Sequence, residues 1–244
     1  LGHIDLSVPW VLGGAAIIST SLVGSGNPAL AAAAIPAALV FGALVGIING
    51  VGVAILRIPS MVWTLAVNSM LLGVAVLNTG GTWLATGDLA GLPVAFLVWM
   101  AASGAMALLL KRSGFGRYLS AIGYNEKATF LSGVSTPSVI FAAFAIAGLC
   151  SALGGVMLAG YANQAYQSMG DPFLLPTIAA VVIGGTSILG GRGSLIGTVG
   201  GVLFITLLTS ILSVMQISDA WRNIIFGLII ITMLLLQTLR RKAQ

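Results

Sequence analysis

The chain has 244 residues, of which 58% are hydrophobic and only 6% are charged. A soluble domain carries about 25% charged residues, so this composition argues against a soluble enzyme, a disordered tail and a disulfide-stapled secreted module. The net charge of +5 comes from basic residues spread between apolar runs. We therefore interpret these residues as signals of membrane topology, with lipid as the main solvent and no nucleic-acid partner.

The intervals between charged residues predict an all-α, polytopic bundle with about eight transmembrane helices. A spanning helix needs roughly 20 apolar residues, and these runs do not alternate as barrel strands do. Residues 6–56 carry no charge over 51 positions, so this run holds two spans separated by a turn at Gly24–Pro28. In chain order, the predicted spans lie near residues 7–23, 30–56, 60–79, 92–110, 137–160, 173–190, 195–216 and 221–239.

The basic residues also predict the orientation of the spans. Eight spans put both ends of the chain on one side of the membrane, together with nine of the ten basic residues. Only Arg222 falls opposite, on the side that receives Asp88, Asp171 and Asp219. The positive-inside rule makes the nine-residue side cytoplasmic. The chain starts at Leu1 without an initiator Met, and we expect an N-terminal part of the protein to precede it.

Glycine accounts for 33 residues, and much of it is spaced for helix packing. Two rows repeat glycine at every fourth position, namely Gly42, Gly46 and Gly50, and Gly193, Gly197 and Gly201. In lipid, such rows let two helix backbones approach closely. A denser cluster over residues 183–193 predicts either a broken or re-entrant helix, or a cytoplasmic hairpin at Gly190–Gly193 between two ordinary spans. A broken helix is tolerated in a membrane only where it is buried in protein or lines a wet cavity.

The one long cytoplasmic connection, residues 111–136, is a candidate partner site. Asn125 suits an N-cap, Glu126 suits the first helical turn and Gly133 suits the C′ position. These signals predict a helix of about two turns over residues 126–132. A short amphipathic helix beyond the bilayer is a docking element for a cytoplasmic partner, whereas a helix lying on the lipid headgroups is the alternative.

The chain lacks the residues that catalysis or metal binding would require. His3 is the only histidine and Cys150 the only cysteine, and no lysine follows a glycine as in a phosphate-binding loop. We therefore expect no metal site, no bound cofactor and no ATP hydrolysis by this chain. Ion-driven transporters usually need charged groups within the membrane, and these are nearly absent here. A polar path would have to use hydroxyls and amides, which suit a neutral, hydrogen-bonding solute.

The candidate path residues are polar or small residues in or beside the predicted spans: Asp5, Ser7, Asn49, Asn68, Thr177, Gly184, Gly185, Thr186 and Ser187. For any single polar residue in this set, hydrogen bonding between helices is the alternative role. Asp5 either caps the first span or lines the path at a broken helix. The glycines between residues 177 and 191 either leave room beside the path or only allow helices to pack.

Three segments, in order, resemble the ribose-type permeases, which are membrane subunits of bacterial ABC importers for monosaccharides. Gly2–Val8 is similar to the family segment GGIDLSVG, residues 115–134 to its cytoplasmic coupling segment, and residues 178–193 to its glycine-rich signature. This chain departs from the family at His3 and Pro9, where the family has glycine, and its outer connection near 80–91 is shorter. The family fold has about ten helices, so about two N-terminal helices are expected to be absent from this chain.

The resemblance implies one transmembrane permease domain over residues 1–244 of a bacterial inner-membrane protein. It also implies a second permease subunit (identical or different), a cytoplasmic ABC ATPase that holds ATP-Mg, and a periplasmic or lipid-anchored sugar-binding protein. Transport would proceed by alternating access, with the ATPase acting through residues 111–136. The coupling residues that the resemblance implies are Gly116, Arg117, Gly123, Asn125, Glu126, Ala128 and Gly133. A branched-chain amino acid or nucleoside permease of the same superfamily is one alternative, and a stand-alone secondary transporter or facilitator is another.

Overall fold

The computed structural model describes residues 2–77, 88–89, 92–162, 164–166, 168–188, 190–191 and 193–242. The chain forms two compact units. The C-terminal unit comprises Leu1–His3, Ser120–Glu126 and Pro172–Gln244, and the N-terminal unit comprises Ile4–Leu119 and Lys127–Asp171. The predicted outer connection near residues 80–91 lies largely outside the described residues.

Each of the eight predicted spans coincides with an apolar helix. The helices in chain order are α1 (Val8–Val23), α2 (Pro28–Gly50) with a π-helical continuation (Val51–Ile55), α3 (Ser60–Leu77), α4 (Val94–Arg112), α5 (Gly114–Tyr124), α6 (Glu126–Leu131), α7 (Thr136–Ala162), a 3₁₀ turn (Asp171–Phe173), α8 (Leu174–Ile183), α9 (Leu195–Val214) and α10 (Asp219–Lys242). A two-residue antiparallel pairing, β1 (Asp88–Leu89) with β2 (Leu92–Pro93), precedes α4. The amphipathic helices α5 and α6 occupy the predicted cytoplasmic connection.

Several of these helices are long and apolar enough to cross a membrane. Within the described residues, four helical segments meet both conditions: Pro28–Ile55, Thr136–Ala162, Leu195–Val214 and Asp219–Leu239. Shorter apolar helices lie at Val8–Val23, Ser60–Leu71 and Asp171–Ile183. The protein is therefore an all-α, polytopic membrane protein, as its composition predicts.

The predicted span near residues 173–190 is wrong in length, because α8 ends at Ile183. Gly185 has a φ of +82° and closes the helix as its C′ residue. The Gly185 N–H donates to the Val182 carbonyl at 3.1 Å and the Thr186 N–H donates to the Val181 carbonyl at 3.2 Å, which is a Schellman motif. The 10 residues of α8 extend about 15 Å, half of a hydrocarbon core. The helix therefore ends seven residues before the predicted boundary, and the choice between a re-entrant helix and a hairpin stays a prediction.

The first glycine row packs α2 against α7 in the N-terminal unit. A Cβ added at Gly46 would overlap the Phe144 carbonyl oxygen, and one added at Gly42 would overlap the Gly148 carbonyl oxygen. Small residues of α1, α2 and α7 complete this core, in which Ala15, Ala38 and Ala152 are fully buried. The predicted role of this row in close backbone packing is confirmed.

The second glycine row packs α8 against α9 in the C-terminal unit. A Cβ at Gly197 would overlap the Gly184 carbonyl oxygen, and one at Gly201 would overlap the Ala180 carbonyl oxygen. Ile205 and Phe226 bury their side chains in the same core. The outer faces of α9 and α10 expose large apolar residues such as Leu203, Leu207 and Leu235, as a surface that faces lipid would.

Candidate translocation and coupling sites

An irregular segment at Ile4–Ser7, called the entry segment below, is fixed to side chains of α3. The Ile4 N–H donates to Ser60 Oγ at 3.2 Å, and the Leu6 N–H donates to Thr64 Oγ1 at 2.9 Å. Both hydroxyl side chains are buried and stand one turn apart on α3. The segment has no helix or sheet partners for these N–H groups, so the hydroxyls satisfy donors that would otherwise lack partners.

Asp5 lies at the centre of the entry segment but is not the N-cap of α1. Ser7 holds that position, with Pro9 in the first turn. The prediction that Asp5 caps α1 is therefore wrong, because the N-cap lies two residues later. Asp5 Oδ1 instead accepts from the Ser7 N–H at 2.9 Å and from the Ser7 hydroxyl at 2.7 Å. The Asp5 carboxylate therefore orients Ser7, the N-cap residue that precedes Val8, the first residue of α1.

Asn49 of α2 joins the same group of residues. Its Nδ2 donates to Ser7 Oγ at 2.7 Å and lies 3.4 Å from each carboxylate oxygen of Asp5. Asn49 and Ser7 are both fully buried. The structure thus brings three predicted path residues, Asp5, Ser7 and Asn49, into one hydrogen-bonded group. We call these three residues, with Ser60 and Thr64, the polar cluster.

Two buried amide oxygens of the N-terminal unit have no hydrogen-bond partner among the described residues: Asn49 Oδ1 and Asn68 Oδ1. Asn68 follows Ser60 and Thr64 at four-residue spacing, so the three polar residues form one row along α3. The first two members of the row bind the entry segment, and the third presents an unused acceptor. The sequence prediction missed Ser60, although the spacing of 60, 64 and 68 carries the signal.

A π-helical turn begins two residues after Asn49 and gives the end of this helix an unusual geometry. Residues Val51–Ile55 form this turn, and a Cβ added at Gly52 would overlap the indole of Trp63. Trp63 Nε1 donates to the Ile48 carbonyl at 3.1 Å, which ties the start of α3 to the end of α2. π-Helical turns are rare and are frequently found at functional sites.

The remaining predicted path residues belong to the C-terminal unit, in α8 and in the turn that follows it. Thr177 is exposed, and its hydroxyl donates within its own helix, to the Phe173 carbonyl at 2.7 Å. Residues 184–191, called the glycine-rich turn below, contain Gly184, Gly185, Thr186 and Ser187. Thr186 Oγ1 lies 3.4 Å from Thr198 Oγ1, and Gln237 Nε2 donates to the Thr186 carbonyl at 3.4 Å.

The connection that the sequence predicts to be cytoplasmic folds into the two helices α5 and α6. The predicted helix over residues 126–132 is confirmed to within one residue, and Gly133 has the φ of +84° that the C′ position requires. The Gly133 N–H donates to the Phe130 carbonyl at 3.0 Å, and the Val134 N–H donates to the Thr129 carbonyl at 3.4 Å. Phe130 and Leu131 are 59% and 84% exposed, so no described part of the chain covers this apolar surface of α6.

The predicted coupling residues differ in how far they are buried. Gly116 is buried, and a Cβ there would overlap the Leu110 carbonyl oxygen, so it fixes α5 closely against the end of α4. Arg117, Asn125 and Ala128 are exposed, while Glu126 is half-buried. Gly123 lies near the end of α5, in the C-terminal unit. Among the described residues, no three histidine, cysteine or acidic side chains lie close enough together to hold a metal ion.

These features define the class of protein. The family model described as "Branched-chain amino acid transport system / permease component" matches residues 1–234, and the chain belongs to this family of membrane transport permeases. It is 33% identical to the ribose import permease protein RbsC of Haemophilus influenzae, over 96% of this chain and 76% of the relative. It is 34% identical to the autoinducer 2 import system permease protein LsrC of Escherichia coli K12, over 95% of this chain and 70% of the relative. Ribose import permease protein RbsC of Escherichia coli K12 is also 34% identical, over 93% of this chain and 75% of that protein. No solved structure is significantly similar to the chain.

Proposed function

We propose that this protein is the membrane-spanning subunit of an ATP-driven importer that carries a small neutral solute, a monosaccharide, across the bacterial inner membrane by alternating access. The observation that carries the proposal is the similarity, over more than nine-tenths of the chain, to permeases named for the import of ribose and of autoinducer 2. The family description alone would also fit a branched-chain amino acid as solute.

The polar cluster supports a neutral solute. Asp5 is the only charged residue in the cluster, and donors of Ser7 and Asn49 surround its carboxylate. The unused acceptors are the amide oxygens of Asn49 and Asn68, which are suited to the hydroxyl donors of a sugar. An amino acid would bring a carboxylate and an ammonium group that need charged partners, and the cluster offers no cationic one.

Transport measurements separate the three candidate functions. The chain is co-expressed with an ABC ATPase subunit and a sugar-binding protein, reconstituted in proteoliposomes, and supplied with labelled ribose, leucine or uridine. We expect ATP-dependent uptake of ribose alone. Uptake of leucine or uridine would assign the protein to the alternatives of the same superfamily, and ribose uptake without the ATPase would make it a stand-alone transporter.

The partners and the orientation are part of the proposal. ATP-Mg is held by the ATPase, and this chain carries no cofactor. Two permease subunits, identical or different, form the membrane part, and a periplasmic or lipid-anchored protein delivers the sugar. Both ends of the chain and α5–α6 face the cytoplasm, in line with the predominance of basic residues on that side.

The helices α5 and α6 form the proposed docking site for the ATPase. The exposed Phe130 and Leu131 support this role, because a docked partner would remove them from water. Arg117→Ala and Glu126→Ala should uncouple ATP hydrolysis from uptake while the protein keeps its thermal stability. Lys127→Ala, at a neighbouring exposed position, is the control. Photo-cross-links from Phe130 that reach only lipid would rule out docking in favour of a helix on the headgroups.

The glycine-rich turn is proposed to border the solute path. Single cysteines introduced as Thr186→Cys and Ser187→Cys, in a Cys150→Ser background, should react with a water-soluble thiol reagent in at least one nucleotide state. Gly184 is expected to act through packing, because a Cβ there would meet the Thr198 backbone, whereas a Cβ at Gly185 meets open space. Gly184→Val should therefore lower stability and transport together. If neither cysteine reacts in any state, the turn does not border an aqueous path.

A further inference from the structure

The C-terminal end of α5 rests on the last two described glycines of the glycine-rich turn. A Cβ added at Gly190 would lie 3.1 Å from the Gly123 carbonyl oxygen and 3.1 Å from the backbone nitrogen of Gly2. One added at Gly191 would lie 3.3 Å from the same Gly123 oxygen and 3.4 Å from the Tyr124 ring. The distances of 3.1–3.3 Å to backbone atoms are tighter than ordinary van der Waals contact, so a side chain here would require α5 or the turn to shift by a few tenths of an ångström.

The backbone at this contact can be formed cheaply only by glycine. Gly190 and Gly191 have φ values of +85° and +81°. An L-residue in this left-handed region costs about 1–2 kcal/mol, so two in succession would be strained even without a neighbour. The pair therefore gives both the sharp turn and the close approach to Gly123.

Hydrogen bonds connect this contact to the proposed solute path. The Gly190 N–H donates to the Ser187 carbonyl at 3.2 Å, so Gly190 and Ser187 cannot separate without breaking that bond. On the other side of Ser187, Thr186 is held by Gln237 of α10 and lies beside Thr198 of α9. The turn is thus fixed at one end to α9 and α10, and at the other end it touches α5.

We propose that Gly190 and Gly191 are positioning residues that transmit displacement of the end of α5 to Ser187, and so couple ATP hydrolysis to the opening of the path. The proposal rests on the proposed function, in which α5 and α6 receive the ATPase. Displacement of Gly123 toward Gly190 finds little free space, because the Gly123 carbonyl oxygen already lies only 3.1 Å from the position that a Cβ would take at Gly190. The hydrogen bond from Gly190 then carries the movement to Ser187.

The test follows the environment of Ser187 in different nucleotide states. Ser187→Cys is introduced in a Cys150→Ser background, and the complex with its ATPase is labelled with a charged methanethiosulfonate reagent, without nucleotide and after trapping with ATP and vanadate. We expect the labelling rate to differ at least tenfold between the two states. In Gly190→Ala this difference should fall below twofold.

The control variant is Gly26→Ala, which has a similar strained φ of +71° but no atom within 4 Å of the added Cβ. It should keep the tenfold difference, so strain alone would not explain a loss. Tyr124→Ala provides a second variant without backbone strain, and it should reduce the difference by removing the ring that lies 3.4 Å from the position of a Cβ at Gly191.

Two results would overturn the proposal. One is an equal labelling rate in both nucleotide states in the Ser187→Cys, Cys150→Ser protein that keeps Gly190. The other is a tenfold difference that persists in both Gly190→Ala and Tyr124→Ala. Uptake of labelled ribose by the parent is measured in parallel. State-dependent labelling without ribose uptake would remove the sugar assignment and leave the role of Gly190 standing.

Discussion

Replacement of Asp5 by alanine tests whether the carboxylate holds the entry segment against α1 and α2. Asp5 Oδ1 accepts two short hydrogen bonds from Ser7, at 2.9 and 2.7 Å. The contacts with Asn49 Nδ2 at 3.4 Å are too long to contribute much. A hydrogen bond to a charged group contributes about 1.5–3 kcal/mol, and Asp5 is only partly buried, so the lower value applies to each bond. Asp5→Ala should therefore destabilise the protein by about 3 kcal/mol.

Asp5→Asn separates the hydrogen bonds from the charge. Its remaining carbonyl oxygen accepts both bonds from Ser7, while its new amide donor faces Asn49 Nδ2 and loses only a long contact. We expect a loss of stability of less than about 1 kcal/mol. If uptake is unchanged in Asp5→Asn, only the structural role remains. If uptake collapses at nearly native stability, the charge itself is required for transport.

Stability is measured by thermal and dodecyl sulfate unfolding in mixed micelles, beside labelled-ribose uptake. Asp219→Ala is the control for removing a carboxylate, because Asp219 is 91% exposed in its pair with Arg222 and a surface pair contributes at most about 1 kcal/mol. An Asp5→Ala protein as stable as this control would refute the argument, since it would mean that the two short bonds to Ser7 add nothing.

Three further tests examine a hydrogen bond, the helix packing and a helix end by the same unfolding assay. Thr64→Val should cost about 1–3 kcal/mol, because it leaves a backbone N–H without an acceptor, and Thr64→Ser should restore most of that loss. Gly46→Ala should cost about 1–3 kcal/mol because α7 backbone occupies the added methyl position, whereas Gly104→Ala, with open space around it, should gain up to about 1 kcal/mol. Gln216 ends α9 with a φ of 54°, so Gln216→Gly should raise stability by about 0.5–1 kcal/mol, and an unchanged or lower midpoint would contradict this.

The spans could be predicted from sequence because lipid imposes a simple rule. Charged residues are excluded from the hydrocarbon core, so each long interval between charges marks a helix, and seven of the eight predictions agree with the structure to within a few residues. The prediction for α8 failed because the interval without charged residues continues to Gly191, whereas the helix ends at Ile183. What ends α8 is the left-handed conformation of Gly185, and hydropathy does not register it.

The polar cluster was only half predictable. Sequence reasoning named Asp5, Ser7 and Asn49, but their contact joins residues separated by more than 40 positions, which no local pattern encodes. The N-cap of α1 was misplaced although a signal was present. Ser7 stands two residues before Pro9, and proline prefers the first turn of a helix, which favours Ser7 over Asp5.

The glycine rows show the same division between pattern and partner. Their four-residue spacing identifies a helix face, yet the sequence does not say which helix the face meets. The structure pairs Gly46 with the Phe144 carbonyl of α7, and Gly197 with the carbonyl of Gly184, the first residue of the glycine-rich turn. The first pair only packs two spans, whereas the second packs the start of the glycine-rich turn against α9.

The hydrogen bonds within the polar cluster indicate which charge the proposed solute should carry. Polar groups removed from water need partners, and Asp5, Ser7, Ser60 and Thr64 each have one. The oxygen that the cluster leaves over is Asn49 Oδ1, which is neutral and accepts hydrogen bonds. A cation would require more anionic oxygens than this single carboxylate already engaged with donors, and an anion would be repelled by it. A neutral molecule that donates from hydroxyl groups is the solute that needs no further charge in the membrane, which is why the uncharged character of these spans favours a sugar over an ion.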